Sequence, residues 1–119
     1  MESFLSDPDG MRVPPEDTRV IDMQAEPFPD GRRIRIVLVL TPFLQKPYIE
    51  LNLKDSTGVI AATTSIVEPV TNKLELTLHL RKPPTDTTGQ LTLFATLYYP
   101  DLGEVDQRLL GIILPSPTQ

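Results

Sequence analysis

The positions of the thirteen prolines constrain the fold of this 119-residue chain more than any other feature. They fall between the runs of alternating apolar and polar residues and never inside one. Proline has no backbone N–H to donate to a β ladder, so it marks the places where strands end. Short alternating runs separated by such breaks predict a series of short strands, a pattern typical of an all-β sandwich.

Seven runs are candidate strands, and most of them have the two-residue period of a half-buried strand. They cover residues 18–25, 32–40, 48–54, 59–67, 73–81, 90–99 and 105–114. The fifth run alternates most regularly, with leucine at every even position from Leu74 to Leu80. The apolar side chains that we expect in the core of the sandwich are Ile34, Ile36, Leu38, Ile49, Leu51, Leu53, Leu74, Leu76, Leu78, Leu91, Leu93 and Leu97.

The chain divides into an arm, one domain and a short tail. Residues 1–17 contain proline and glycine breaks and no apolar period, and they predict a flexible arm. The arm is acidic: five carboxylates against two arginines leave residues 1–19 with a net charge of −3, out of −5 for the chain. Residues 18–114 form the predicted β-sandwich domain, and residues 115–119 form the tail.

Charge and composition exclude several classes of partner. The predicted domain is nearly neutral, whereas nucleic-acid binding requires a clustered basic face. No apolar run approaches the ~20 residues of a membrane-spanning helix. The chain has no cysteine, and its first residues lack the basic and apolar stretches of a signal peptide. We therefore expect a cytoplasmic protein with no nucleic-acid or membrane partner.

Seven strands of this length and spacing over residues 18–114 resemble the immunoglobulin-like or fibronectin type III-like superfold. The resemblance is one of topology, because the chain contains neither cysteine nor tryptophan. It implies a seven-stranded antiparallel β-sandwich in which the fifth strand lies beside the second and the third beside the sixth. The superfold carries many unrelated functions, so it implies no activity.

The sequence indicates no catalytic or cofactor site. His79 is the single histidine, and it alternates with the leucines of its strand, so we expect it to point to solvent. Glu75 on the same face should form ordinary surface ion pairs with arginines of the second strand. Motifs for a nucleophile elbow, a phosphate-binding loop, a dinucleotide site or a zinc protease are absent from the sequence. We therefore expect a protein that is not an enzyme and that holds no cofactor or metal.

Carboxylates near the last predicted hairpin leave a calcium site open as an alternative. Asp101, Glu104 and Asp106 lie in this hairpin, and Glu68 lies in a loop that we expect at the same end of the sandwich. Calcium needs roughly six to eight oxygen ligands, so we favour the interpretation that these side chains keep the hairpin solvated. The alternative is a small-ligand or calcium-binding sandwich that acts through the loops around Asp101 and Glu104.

The seventh run gives the main indication of function, because it is apolar at both parities. Its apolar members are Leu109, Leu110, Ile112 and Ile113. A strand that is apolar on both faces is buried on both faces, so the arm, a second copy or another protein must cover one of them. The side chains that we expect to bind a partner are Tyr48, Phe94, Tyr98, Leu110 and Ile112. This surface predicts a non-enzymatic protein-interaction module, most simply a homodimer.

Overall fold

The computed structural model describes residues 12–81 and 89–115. In this part of the chain, a 3-10 turn at Pro15–Asp17 precedes seven strands: β1 (Val20–Pro27), β2 (Arg33–Leu40), β3 (Tyr48–Asp55), β4 (Ile60–Val67), β5 (Lys73–His79), β6 (Gln90–Tyr99) and β7 (Gly103–Ile113). They form a three-stranded sheet in the order β1-β2-β5 and a four-stranded sheet in the order β4-β3-β6-β7. Every pair of neighbours is antiparallel. The predicted seven-stranded antiparallel β-sandwich is confirmed.

The predicted strand bounds differ from the observed ones by at most two residues, and two of the differences have clear causes. β5 ends at His79 because the chain then crosses between the sheets, and Arg81 N donates to Ala61 O of β4 at 2.9 Å. β1 extends to Pro27, which pairs with Ile34. Proline is tolerated there because β1 is an edge strand. Among the described residues no helix is long and apolar enough to cross a membrane.

Side chains from both sheets meet in a core that matches most of the predicted set. Ten of its twelve members are buried, and the other two, Leu74 and Leu76, are only partly buried. These two lie on β5, which is the edge strand of the smaller sheet and has a single hydrogen-bonded neighbour, β2. Leu76 therefore lies at the margin of the core. The alternation of β5 alone predicts more burial for this side chain than the structure shows.

Residues 12–17, which belong to the predicted arm, contact the sandwich. Val13 N donates to Pro42 O, and Leu44 N donates to Val13 O, both at 2.9 Å. The 3-10 turn that follows ends where Thr18 N donates to Pro15 O. Residues 1–11 and 116–119 lie outside the described residues, so the flexibility of the arm and the division of the chain at residue 17 stay predictions.

A buried tyrosine at the end of β6 joins this N-terminal stretch to the loop between β2 and β3. The Tyr99 hydroxyl donates to Gln45 O at 2.7 Å, and its oxygen lies 3.2 Å from Thr18 Oγ1. Thr18 Oγ1 in turn donates to Pro14 O at 3.0 Å. Burial raises the pKa of the Tyr99 hydroxyl above its usual value. Burial thus favours the protonated form, which is the form that donates to Gln45 O.

Truncating Ile36 and its cross-strand neighbour Leu76 compares the loss of stability at the centre of the core with the loss at its margin. Ile36 is fully buried and pairs with the partly buried Leu76. Ile36→Ala should lower the free energy of unfolding by ~2–5 kcal/mol, because it removes buried carbon and leaves a cavity. Leu76→Ala should cost only about 1–2 kcal/mol, since part of its side chain is already in water. Chemical denaturation measures both, and a larger loss for Leu76→Ala would contradict the observed packing.

Candidate interaction surface

The register of the four-stranded sheet arranges its solvent-facing side chains in rows. We call this solvent-facing side the outer face. One row contains Val67, Tyr48 and Tyr98, and the next contains Ser65, Glu50, Thr96 and Gln107. A third contains Thr63, Asn52, Phe94 and Leu109. Each row crosses β4, β3 and β6 and continues onto β7, where Tyr98 of the first row pairs with Glu104. The chemistry of the outer face therefore changes from one row to the next.

The first row holds two of the predicted binding residues, and they contact each other. Tyr48 and Tyr98 are directly opposite on β3 and β6, with ring centroids 5.5 Å apart and ring planes at 39°. Both rings are half-buried, and the neighbouring Val67 is exposed. Tilted aromatic pairs of this kind stabilise a sheet, so part of this surface is used within the domain.

A polar row separates Phe94 from the tyrosines. Thr96 lies between Phe94 and Tyr98 on β6, where it pairs with Glu50 on one side and Gln107 on the other. Gln107 Nε2 donates to Thr96 Oγ1 at 3.4 Å. Phe94 and Tyr98 are four residues apart, a separation of ~13 Å along a strand. The predicted continuous patch of Tyr48, Phe94 and Tyr98 is therefore two separate apolar clusters.

The third row brings an aromatic ring, a cation and an exposed leucine together. Phe94 is half-buried on the outer face, opposite Leu109 of β7. Lys54 Nζ lies 5.0 Å from the centroid of the Phe94 ring, a cation–π contact. The ammonium group of Lys54 thus lies over the Phe94 ring, and Leu109 remains exposed to solvent.

Leu110 and Ile112 do not point outward, and this part of the predicted surface is wrong. Ile112 is 7% exposed and lies opposite the buried Leu91, and Leu110 is half-buried opposite Leu93. The exposed apolar side chains of β7 are Leu109 at 54% and Ile113 at 67%.

A β-bulge explains why Leu109 and Ile113, rather than Leu110 and Ile112, point to solvent. Tyr98 pairs with Glu104, but Leu97 pairs with Asp106, so Val105 is an extra residue in β7. An unbulged hairpin continued from Tyr98 and Glu104 would place Leu109 opposite Leu93 and turn Leu110 outward. One inserted residue moves every later side chain to the opposite face.

The acidic residues of the last hairpin have different surroundings. Asp101, Glu104 and the loop residue Glu68 are exposed. Asp106 Oδ2 instead accepts a hydrogen bond from Val20 N at 2.8 Å. Among residues 12–81 and 89–115 no group of three or more His, Asp or Glu side chains is placed to hold a metal ion.

Asp106 and Arg108 close the open side of the sandwich. Arg108 Nη1 donates to Val20 O at 3.1 Å, and Nη2 donates to Ile21 O at 3.0 Å. The register of β1 shifts between Val20 and Asp22, which leaves its backbone groups out of step with β2. The two side chains of β7 therefore satisfy the irregular backbone of β1, and this contact joins the edges of the two sheets.

The single histidine lies on the opposite side of the molecule. His79 is exposed at the end of β5 and pairs with Arg33. Nearby, Arg35 Nε donates to Glu75 Oε2 at 2.6 Å, and Arg35 Nη1 lies 3.6 Å from Glu26 Oε1. These are the predicted cross-strand ion pairs on an exposed face, where each contributes little to stability.

No family model and no curated protein sequence matches this chain. Several solved structures do. A glycosyl hydrolase family 2 member from Bacteroides cellulosilyticus has a TM-score of 0.62 at 13% identity, over 82% of this chain and 14% of that one. A β-glucuronidase from Bifidobacterium dentium has a TM-score of 0.64 at 14% identity, over 82% and 17%. A β-glucuronidase from Ruminococcus gnavus has a TM-score of 0.56 at 14% identity, over 82% and 16%.

The chain is similar to these enzymes in fold only. The chain shares its two-sheet β-sandwich with a segment of these enzymes. It spans about one sixth of their length, as in the 17% of the Bifidobacterium dentium chain that is covered. The sandwich is thus an architecture that also occurs as one part of much larger proteins.

Replacing Asp106 should test whether this carboxylate holds the sheets together or binds calcium. Asp106→Ala should lower the free energy of unfolding by about 1–3 kcal/mol, because Val20 N loses its acceptor. The matched variant Asp101→Ala, in an exposed turn, should change it by less than about 0.5 kcal/mol. Thermal unfolding with and without Ca²⁺ measures both effects. A Ca²⁺-dependent rise in Tm that Asp106→Ala abolishes would instead support the calcium alternative.

Proposed function

We propose that this chain is a non-enzymatic protein-interaction domain that self-associates through the β6–β7 side of its outer face. The observation that carries the proposal is the exposure of Leu109 and Ile113 on a strand at the edge of the sheet. Leu109 lies opposite the aromatic Phe94, and Ile113 lies four residues further along the same face, so this side of the sheet exposes more large apolar side chains than a single scattered residue. Such a surface is typical of the centre of an interface.

The neighbouring residues support an interface at this position. Phe94 lies beside Leu109, and the polar Thr96 and Gln107 border this cluster on one side. A depression of about 420 Å³ adjoins Ile113 and Gly111. An apolar centre with a polar border is the usual arrangement of a protein–protein interface. Tyr48 and Tyr98, which lie beyond the polar row, would contribute at its margin.

The immunoglobulin-like or fibronectin type III-like assignment belongs to the same proposal. The pairing of β5 with β2 and of β6 with β3 supports it. Domains of this architecture serve many functions, so the assignment favours an interaction domain only together with the exposed surface. The absence of a paired nucleophile and base around His79 in the described residues also favours binding over catalysis.

A charge at Leu109 should abolish self-association. We expect the native protein to sediment as a dimer at micromolar concentration and Leu109→Glu to sediment as a folded monomer, because the new carboxylate would lose its hydration in the interface. Phe94→Glu is a weaker test, since Lys54 Nζ lies 5.0 Å from the ring and would pair with the carboxylate.

The matched control for this experiment is Val70→Glu. Val70 is 84% exposed in the loop between β4 and β5, away from β7. The control should associate as the native protein does. A native protein that is monomeric at all accessible concentrations, or a Leu109→Glu variant that still dimerises, would contradict the proposal.

A further inference from the structure

Within residues 12–81 and 89–115, hydrogen bonds cover the free edge of β7 along only half of its length. β7 is the last strand of its sheet, so one side of its backbone has no neighbouring strand in that sheet. Asp106 and Arg108 tie its first half to β1 of the other sheet. After Arg108, none of the described hydrogen bonds joins the residues 109–113 to a segment on that side.

This stretch lacks the features that protect edge strands. Residues 109–113 are Leu-Leu-Gly-Ile-Ile, with no charge and no proline. Edge strands usually carry charges, prolines or bulges that prevent pairing with another chain. β5 carries Lys73 and Glu75, and β1 ends in Pro27. β4, the other edge of the larger sheet, is polar at its centre, and its Ala61 O accepts a hydrogen bond from Arg81 N.

The stretch is also symmetric about its central residue. Leu109 and Ile113 lie on the outer face, two residues on either side of Gly111, while Leu110 and Ile112 lie on the core side. In an antiparallel pair of identical strands with Gly111 on the two-fold axis, Leu109 faces Ile113 of the second copy, and the same contact occurs twice. The core-side residues pair in the same way, so the edge is complementary to itself.

From this pattern we propose that two copies associate by antiparallel pairing of residues 109–113, with Gly111 at the two-fold axis. The inference rests on the self-association proposed above and adds its geometry. A side-chain Cβ built on Gly111 meets no atom within 4 Å, so the outer face at the centre of this stretch is open and has room for a substituted side chain. Pro115, which has no N–H, lies opposite Gln107 in this register and ends the ladder symmetrically on both sides.

The two four-stranded sheets then form one continuous sheet of eight strands. The backbone groups of β7 that point away from β6 gain partners, and the exposed aliphatic side chains of the two copies cover each other. A pairing of about five residues a side is at the lower end of specific interfaces, so we expect dissociation in the micromolar range rather than a permanent dimer.

A single cysteine at position 111 tests this geometry, because the chain has no cysteine of its own. In the proposed dimer, the two Cβ atoms of Gly111→Cys lie across the axis ~5.5 Å apart, within reach of a short cross-linker that joins two thiols. We expect this variant to cross-link into a dimer at concentrations where the native protein dimerises. Thr96→Cys, in the middle of the outer face, and Thr63→Cys, on β4, should associate as the native protein does but should not cross-link.

The outcomes separate this inference from the proposed function. A native dimer in which Thr96→Cys cross-links instead indicates face-to-face packing, and Thr63→Cys indicates pairing through β4. Either result, or a native dimer in which none of the three variants cross-links, overturns the β7 geometry and leaves self-association standing. A native protein that stays monomeric, with no cross-link at any position, overturns both.

Discussion

The insertion of one residue in β7 determines what the last strand presents to solvent. Val105 has no partner on β6, and from Asp106 onward the strand is shifted by one position. This bulge turns Leu110 and Ile112 into the core and leaves Leu109 and Ile113 outside. Because a strand has a period of two, no smaller change in the backbone could exchange its two faces. The proposed interaction surface depends on this register.

The same register also closes the sandwich. Asp106 and Arg108 share the core-side parity of Leu110, but they lie at the margin, where β1 and β7 approach each other. Their polar groups bind Val20 and Ile21 at the irregular start of β1. Buried backbone groups that lack ladder partners are costly unless a side chain satisfies them. One half of the β7 edge is thus occupied within the domain, and no hydrogen bond of the described part of the chain covers the other half.

The alternation along the runs predicts the strands and most of the core, because a regular alternation such as that of β5 depends only on the local chain. The pairing of the fifth strand with the second and of the third with the sixth was expected from the resemblance in topology alone. It overestimates the burial of Leu76, since alternation does not reveal that a strand is at an edge. It also assigns the wrong face to Leu110, because no local pattern marks Val105 as an extra residue. Asp106 and Arg108 are polar residues at positions of β7 that share a face with the core residue Leu110. They were the sequence signal that this end of β7 lies at the margin of the sandwich. The contact of Lys54 with Phe94 depends on register and could not be read from either strand alone.

Amide hydrogen exchange along β7, followed by NMR at several protein concentrations, tests the central claim most directly. The amides of residues 109–113 that point away from β6 have no hydrogen-bond partner among residues 12–81 and 89–115, so we expect them to exchange quickly in dilute protein. Their protection should rise as the concentration passes through the micromolar range, while amides that bond to β6 stay protected throughout. Exchange at these positions that is equally fast at every concentration would contradict an edge completed by a second copy.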